Sequence, residues 1–315
     1  MRVDTIMATV LITGGTGLIG QALTQALLDK GYEVIILSRK TINKKTPAGL
    51  SYARWDVAAQ TIDAAALQKA DFIVHLAGAN VAEGRWTEQR KKEIVDSRVQ
   101  SGALLVKALR EQPNQVQAVV SASAIGWYGP DPQLPNPQPF TETDKADDTF
   151  LGKTCQQWEG SIQPVEDLGK RLVILRTGIV LSNKGGAFKE FKKSLNFGMA
   201  SILGSGKQVI SWIHMDDLVR LYLYALETPS LRGVYNAVAP NPVSNKKLIV
   251  EMAKTKSFFV PVYVPEVALK TALGEMSVEV LKSATVSSQK TEAAGFVFQY
   301  PAIEQAVKNL MKKGG

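Results

Sequence analysis

The pattern of apolar and polar positions predicts strands and helices that alternate along the first two thirds of the chain. Continuous apolar runs, which are typical of strands buried on both faces of a sheet, occupy residues 9–13, 33–37, 71–77, 116–123 and 171–181. Segments with helical spacing stand between them, at residues 18–30, 88–109 and 149–162. Because strand, helix and strand repeat in this order, the pattern indicates βαβ units and a parallel sheet.

Beyond residue 181 the pattern changes. Five glycines interrupt residues 185–206, and four prolines follow between residues 240 and 265. We therefore predict an α/β fold in which a Rossmann-type, doubly wound parallel sheet is joined to a smaller C-terminal α+β substrate lobe. The predicted Rossmann domain comprises residues 1–181 and 212–240, and the predicted lobe comprises residues 182–211 and 241–315.

Composition excludes several classes of protein. With 45% hydrophobic and 21% charged residues, the 315-residue chain is not a disordered one. No apolar run approaches the ~18 residues of a membrane span, and the apolar start leads into a glycine turn, so it predicts a strand rather than a signal peptide. One cysteine and two histidines leave no internal disulfide and argue against a metal site. We expect a cytoplasmic protein without a membrane partner.

The net charge of +8 is compatible with several kinds of partner. The lysines are dispersed along helices and form no stripe with interleaved aromatic residues, so we expect no nucleic-acid partner. A small molecule that carries phosphate accounts for the charge equally well.

A glycine-rich turn is the most informative motif. Gly14, Gly17 and Gly20 have the spacing G-x-x-G-x-x-G and stand between a predicted strand and a predicted helix. Small residues there let the backbone approach a pyrophosphate, which the helix N-terminus attracts. The alternative is a turn that needs glycine only for its backbone angles.

The end of the second predicted strand distinguishes between two dinucleotides. An NAD site usually carries an acidic residue there, whereas this chain has Ser38, Arg39 and Lys40, followed by Lys44 and Lys45. A guanidinium can bind a 2′-phosphate, so NADP(H) is favoured over NAD(H). The alternative is a solvated basic loop.

Further motifs resemble those of a known superfamily. They are TGGTGLIG at residues 13–20, HLAGAN at 75–80, SASAIGWYG at 121–129, RTGIVL at 176–181, WIHMDDL at 212–218 and YNAVAP at 235–240. In this order they resemble the extended short-chain dehydrogenase/reductase superfamily, and in particular its atypical branch of "epimerase family proteins", also described as cell-division-inhibitor-like. Segments at residues 264–286 and 294–301 are similar to the C-terminal domain of that branch.

The resemblance implies a set of cofactor contacts. The pyrophosphate would lie on the turn, the 2′-phosphate beside the end of the second strand, the adenine beside residues 56 and 57, and the ribose against residues 76–78. The implied residues are Gly14, Thr16, Gly17, Leu18, Ile19, Gly20, Ser38, Arg39, Asp56, Val57, Leu76, Ala77 and Gly78. We interpret His75 as a packed, hydrogen-bonded strand residue.

The superfamily's usual proton carrier is missing. It is a tyrosine four residues before a lysine, and none of the eight tyrosines here has lysine at that distance. Spacing from the strand that ends at Ser123 places Phe150 where the tyrosine is expected and Thr154 where the lysine is expected. A phenyl ring cannot exchange a proton.

Four residues are candidates for catalysis. Ser123 corresponds to the superfamily's carbonyl-polarising serine, and Tyr128, Lys153 and Glu159 could replace the missing proton carrier. The alternatives are a packed loop aromatic for Tyr128 and a solvated helix face for Lys153 and Glu159. Cys155 is interpreted as a core residue rather than a reactive thiol.

Two further motifs are open to structural interpretations. Trp86, Trp158 and Trp212 either line the cleft or belong to the core. We expect Asp216 and Asp217 to cap the helix that follows them rather than to bind a metal.

Two functions remain open. The first is an oxidoreductase or epimerase that uses NADP(H) on an unidentified small molecule. The second is an NADP(H)-dependent sensor or interaction protein without turnover, which the missing tyrosine–lysine pair favours. By analogy with relatives, the two long helices leave room for a homodimer.

Overall fold

Strands and helices alternate along the computed structural model, which describes residues 8–39 and 46–312. The strands are β1 (Thr9–Thr13), β2 (Glu33–Ser38), β3 (Leu50–Asp56), β4 (Thr61–Ile62), β5 (Phe72–His75), β6 (Ala118–Ala124), β7 (Arg171–Thr177), β8 (Ile179–Leu181), β9 (Met199–Leu203), β10 (Val209–Ile210), β11 (Trp212–His214), β12 (Gly233–Ala237), β13 (Val243–Ser244) and β14 (Val260–Val264). The helices are α1 (Leu18–Asp29), α2 (Ala64–Lys69), α3 (Glu88–Glu111), α4 (Phe150–Ile162), α5 (Gly186–Leu195), α6 (Met215–Glu227), α7 (Asn245–Ala253), α8 (Glu266–Leu273), α9 (Ser277–Leu281), α10 (Gln289–Ala293) and α11 (Ile303–Lys312).

The main sheet has eight strands in the order β12-β7-β6-β5-β1-β2-β3-β4. All its pairs are parallel except the one between β3 and β4. The chain runs from β1 outward to β3 on one side and then crosses to β5 on the other. The strand order therefore reverses between β1 and β5, where the carboxyl ends of the strands form a crevice. This topology confirms the predicted doubly wound, Rossmann-type sheet.

Two apolar layers cover the sheet. Val10 and Ile12 of β1 face a cluster formed mainly by α1 and α6, and Leu11 faces a second cluster that includes residues of α2 and α3. Because both faces are covered, all five residues of β1 are buried, which explains the continuous apolar runs in the sequence. The sheet is thus a rigid base for the loops at its carboxyl edge.

A third apolar cluster lies in the second part of the chain. It is built around Phe188 of α5, Trp212 of β11 and Leu248 of α7, and it includes residues of α11. Phe296 and Phe298 lie between α7 and α11 in sequence but pack in the cluster of α1 and α6, so this C-terminal segment returns to the main sheet. The residue limits of the two predicted lobes stay a prediction.

A small parallel sheet in this second part joins β9 to β14. The backbone N–H of Val260 donates to the carbonyl of Gly198 at 2.8 Å, and that of Gly204 donates to the carbonyl of Val264 at 2.9 Å. Backbone groups alternate in direction along a strand, so those of Pro261 point away from β9. Within the described ranges, no helix is both long and apolar enough for a membrane span.

The continuous strand predicted at residues 171–181 is wrong. The structure divides it into β7, which lies in the main sheet, and β8, which pairs with β11. Gly178 stands at the break, where a β-carbon would lie 2.5 Å from the carbonyl oxygen of Ser211. The close approach of these two backbone segments separates the strands.

Candidate functional site

A cavity of about 1320 Å³ opens at the carboxyl edge of β1, β2 and β5. Ten of the predicted cofactor residues line it: Gly14, Thr16, Gly17, Ser38, Arg39, Asp56, Val57, Leu76, Ala77 and Gly78. The cavity is larger than most pockets for a single small molecule, which occupy roughly 300–1,000 Å³. Its size suits an elongated ligand such as a dinucleotide.

The glycine turn has no room for side chains at two positions. Gly14 has a φ of +68°, and a β-carbon there would lie 2.7 Å from the carbonyl oxygen of Leu76. A β-carbon on Gly20 would lie 2.4 Å from the carbonyl oxygen of Gly14. The turn therefore packs directly against the loop after β5 and against the start of α1.

The N-terminus of α1 is suited to an anion. Gly17 precedes the helix without a side-chain cap, and the first turn contains no acidic residue. Its free N–H groups and the positive end of the helix dipole favour a phosphate. Leu18, Ile19 and Gly20 are not among the residues that line the cavity, and Leu18 faces the backbone near Gly185 instead.

The far wall of the cavity is formed after β2 and β3. Ser38 ends β2 and Arg39 follows it, and Asp56 ends β3 and Val57 follows it. The Asp56 carboxylate accepts the backbone N–H groups of Ala58 and Ala59, each at 3.0 Å, so it also fixes its own turn. Lys40, Lys44 and Lys45 lie outside the described residues.

Thr13 and His75 hold the opposite wall. The Thr13 hydroxyl is 2.8 Å from Nδ1 of His75 and accepts the backbone N–H groups of Leu76 and Ala77, each at 3.1 Å. Burial, and then the charge of Arg98, lowers the pKa of His75 to about 3, so the ring is neutral. The interpretation of His75 as a packed, hydrogen-bonded residue is confirmed.

Three of the four catalytic candidates meet in one buried network. Ser123 Oγ donates to Glu159 Oε1 at 2.6 Å, and Arg176 donates to both carboxylate oxygens of Glu159 at 2.8 and 2.9 Å. Arg176 also donates to the Tyr128 hydroxyl at 3.1 Å, and that hydroxyl donates to Asn236 Oδ1 at 2.7 Å. Arg176 is the residue that sequence reasoning missed. The signal available in the sequence was its position as a charged residue near the end of an apolar strand.

The network is shielded from solvent. Tyr128 has no exposed surface, and burial raises the pKa of its phenol to about 12 against the opposing effect of Arg176. Burial also acts to lower the pKa of Arg176, but the hydrogen bonds and charge of Glu159 outweigh it and raise that pKa. Lys153 is exposed on α4. None of the four candidates is among the cavity-lining residues.

The other aromatic and thiol candidates lie in packing contacts. Phe150 meets Trp86 edge to face, with ring centroids 5.1 Å apart, and Trp212 is fully buried in the third cluster. Thr154 donates to the carbonyl oxygen of Phe150 at 2.7 Å. Burial raises the pKa of Cys155 to about 12, so its thiol is neutral, in agreement with a core residue.

The expected capping of α6 by aspartates is wrong. His214 caps this helix, because its Nδ1 accepts the backbone N–H of Asp216 at 3.0 Å. The buried Asp217 carboxylate instead accepts the backbone N–H groups of Gln299 and Tyr300, each at 2.8 Å, and an N–H of Arg220. It attaches the C-terminal segment to α6.

Comparison with known proteins agrees with this architecture. The profile of the NAD dependent epimerase/dehydratase family matches residues 10–154, and a domain of unknown function, DUF1731, matches residues 264–310. An epimerase family protein of Staphylococcus saprophyticus is 36% identical over 96% of this chain and 98% of its own length. The chain belongs to the NAD-dependent epimerase/dehydratase family. An epimerase family protein of Mycobacterium bovis is 33% identical over 95% of this chain.

Solved structures of similar proteins extend the comparison. The human epimerase family protein SDR39U1 (isoform 2), solved with NADPH, has a TM-score of 0.85 and 30% identity, and the match covers 96% of this chain and 99% of the human one. MoeE5, solved with UDP-glucose and NAD, has a TM-score of 0.75 at 19% identity and therefore shares the fold alone.

Proposed function

We propose that this chain is an NADP(H)-dependent oxidoreductase or epimerase that acts on a small molecule. The observation that carries the proposal is the cavity itself. It brings together the glycine turn, the uncapped start of α1 and the loops after β2, β3 and β5. Gly14 and Gly20 permit the tight turn and the close packing of α1 on that turn, both of which a pyrophosphate-binding turn requires.

Arg39 supports NADP(H) over NAD(H). It lines the cavity directly after β2, where an NAD site usually carries an acidic side chain. Its guanidinium can bind a 2′-phosphate through two parallel hydrogen bonds. The human relative that was solved with NADPH supports the same preference.

Ser123 and Glu159 supply a route for a proton in this proposal. When bound, the cofactor supplies hydride exchange. Because Ser123 donates its own proton to Glu159, its oxygen is left to accept the proton of a substrate hydroxyl that reaches the carboxyl end of β6, next to the cavity-lining loop after β5. As the substrate O–H proton moves to Ser123, the serine proton moves to Glu159, and Arg176 holds the carboxylate in place. When a carbonyl substrate is reduced, the same steps run in reverse. Glu159 returns a proton to Ser123, and Ser123 gives its proton to the carbonyl oxygen.

Tyr128 and Lys153 have other roles in this proposal. The enclosed Tyr128 hydroxyl orients Arg176, and Lys153 belongs to the solvated face of α4. A sensor without turnover remains the second candidate. It is favoured by Phe150 and Thr154, which occupy the positions where spacing from Ser123 leads us to expect the tyrosine and the lysine of the superfamily.

Titration calorimetry of nucleotide-free protein tests the cofactor. We expect NADPH to bind at least tenfold more tightly than NADH, a difference of about 1.4 kcal/mol. Arg39→Ala should remove that preference and leave NADH affinity unchanged. Arg54→Ala, which changes an exposed arginine on the neighbouring strand, is the matched control. Equal affinities for NADPH and NADH in the wild type would overturn the choice of NADP(H).

Turnover separates the enzyme from the sensor. A panel of aldehydes and ketones is screened for oxidation of bound NADPH. Ser123→Ala should lower any activity found by about 10²-fold or more, the usual contribution of a positioned proton carrier, with unchanged NADPH affinity. Tight NADPH binding without discharge by any carbonyl compound would favour the sensor.

A further inference from the structure

Arg98 of α3 is a cation without a carboxylate partner among the described residues. It lies behind the cavity wall, because a β-carbon on Gly78 would be 3.0 Å from its Cζ and 3.2 Å from its Cγ. Within residues 8–39 and 46–312 the one hydrogen bond of its guanidinium runs from Nη1 to the carbonyl oxygen of Ile94 at 2.9 Å, on its own helix. The other N–H groups of this partly buried guanidinium have no protein acceptor.

The titratable side chains close to Arg98 do not compensate its charge. Burial, and then the charge of Arg98, keeps His75 neutral by lowering its pKa to about 3. Burial keeps the Cys155 thiol protonated by raising its pKa to about 12. Arg90 is a second positive charge in the neighbourhood, and it is paired with Glu93 at 2.7 Å. Burial, the largest effect, lowers the pKa of Arg98 only to about 10, so the guanidinium is charged at neutral pH.

A second donor without an acceptor lies against the guanidinium. The Cζ of Arg98 is 4.9 Å from the centroid of the Trp158 ring. Trp158 is only 6% exposed, and its buried Nε1 has no hydrogen-bond partner in the described part of the chain. A buried donor without an acceptor is rare in folded proteins, so the orphaned Nε1 beside a cation that has no carboxylate partner points to a ligand that supplies the acceptor.

The phosphates of a dinucleotide already have other partners. The glycine turn and the start of α1 suit the pyrophosphate, and Arg39 suits the 2′-phosphate. Arg39 follows β2, whereas Arg98 packs behind the loop after β5, and β1 separates these strands. Arg98 therefore lies on the other side of the pyrophosphate position from Arg39.

We propose that Arg98 binds an oxyanion of the substrate, so that the substrate is a small molecule bearing a carboxylate or a phosphate group. The inference rests on the proposed function, because it assigns the cofactor phosphates to the rest of the cavity. Trp158 stacks on the guanidinium and offers its N–H as a second donor once the anion is bound. Substrate selection by charge is thus assigned to α3 and α4.

Small anions serve as probes. Sodium acetate and inorganic phosphate are titrated at constant ionic strength into the protein saturated with NADP⁺, and tryptophan fluorescence is followed. The wild type should bind acetate or phosphate, or both, with a saturable signal. Tighter binding of acetate indicates a carboxylate site, and tighter binding of phosphate indicates a phosphate site. Arg98→Gln should weaken that binding at least tenfold, and Trp158→Phe should remove most of the fluorescence change. Arg110→Gln, an exposed change on the same helix, should bind the anion like the wild type.

Arg98→Lys covers the case in which the glutamine variant does not fold. It keeps the charge but loses the fork of parallel donors, so anion affinity should fall severalfold. Unchanged affinity in either Arg98 variant, equal loss in Arg110→Gln, or no saturable binding by the wild type would overturn the proposal.

The cofactor is measured separately. NADPH affinity of Arg98→Gln should stay within twofold of the wild type. A tenfold loss would identify the anion as a cofactor phosphate and overturn the assignment to substrate. If the wild type fails to bind NADPH, the proposed function fails, and anion titration of the cofactor-free protein still reports on Arg98.

Discussion

Glu159 and Arg176 illustrate how a single buried pair organises several loops. Their side chains are 9% and 3% exposed and share two hydrogen bonds, and Ser123 and Tyr128 are attached to the same pair. A buried ion pair adds little to the free energy of unfolding when it is compared with apolar residues of the same size. Removal of one partner is costly, because the other charge is then left without compensation.

Glu159→Gln should therefore destabilise the fold by about 3–5 kcal/mol, as expected when a buried charge loses its partner. The free energy of unfolding from urea titration measures the effect. Glu190→Gln removes the partner of Lys193 in an exposed pair on α5 and should cost less than about 1 kcal/mol. Equal losses in the two variants would show that the buried pair is not decisive.

His75 makes the stability of the fold depend on pH. The folded protein holds this ring neutral with a pKa of about 3, while the unfolded chain takes up a proton near the ordinary value of 6.5. The stability that the folded protein gains with the neutral ring is therefore complete above pH 6.5, and it is lost progressively as the pH falls towards 3. His75→Asn should reduce the slope of unfolding free energy against pH, between about pH 6 and pH 4, by up to about 1.4 kcal/mol per pH unit.

Urea titrations at several pH values measure that slope. Above pH 7 the plots of unfolding free energy against pH should be parallel for the wild type and the variant, and this range is the internal control. Parallel curves throughout the acidic range would mean that another group causes the wild-type pH dependence.

Sequence reasoning found most of the cavity wall and three members of the buried network, but not Arg176, which joins them. Residues such as Gly14 and Arg39 belong to local motifs whose spacing is fixed by one turn or one strand end. Arg176 meets Glu159 and Tyr128 only because β6, β7 and α4 pack together, and no short spacing records that contact. Arg98 escaped notice for the same reason, since its position behind Gly78 depends on how α3 packs.

At the scale of elements, continuous apolar runs predicted the buried strands well. The strand β3 was missed because it mixes polar and apolar residues, with Arg54 exposed and Trp55 buried. The junction of β7 and β8 was missed because both halves are apolar. One glycine separates them, and its effect arises from the distant carbonyl of Ser211.

Gly178→Ala should destabilise the junction by about 1–3 kcal/mol, the usual cost of overpacking, because the added methyl group lies 2.5 Å from that carbonyl oxygen. Gly160→Ala on α4 is the control, since a methyl group there meets nothing within 4 Å. It should stabilise the protein by about 0.5–1 kcal/mol through helix propensity. Thermal unfolding of both variants measures the contrast, and a neutral Gly178→Ala would show that the junction can widen.

For the whole molecule, the C-terminal segment is the link between the second part of the chain and the main sheet. Phe296 and Phe298 pack beside α6, and the Asp217 carboxylate accepts two backbone N–H groups just beyond them. The pattern of apolar residues does not reveal such a return, because it depends on a contact between residues more than 80 positions apart. The homodimer through the long helices stays a prediction.

Asp217→Asn should loosen this link. The amide keeps one acceptor but turns an N–H₂ group towards a backbone donor, at a cost of about 1–3 kcal/mol for the unpaired group. Hydrogen exchange at Gln299 and Tyr300 should accelerate, whereas Asp216→Asn, one residue earlier and partly exposed, should leave it unchanged. Equal exchange rates in both variants would show that other contacts hold the segment.

Pro261 bears on how the protein behaves when it is concentrated. The strand β14 exposes Val260, Val262 and Tyr263 by 37–49%, a composition that favours aggregation by strand addition. An incoming strand would have to pair with the side of β14 that faces away from β9, where proline has no N–H to donate. The ladder would be interrupted at its centre. One imino acid thus lets the outer edge of β14 keep an apolar surface without becoming a template for fibre growth.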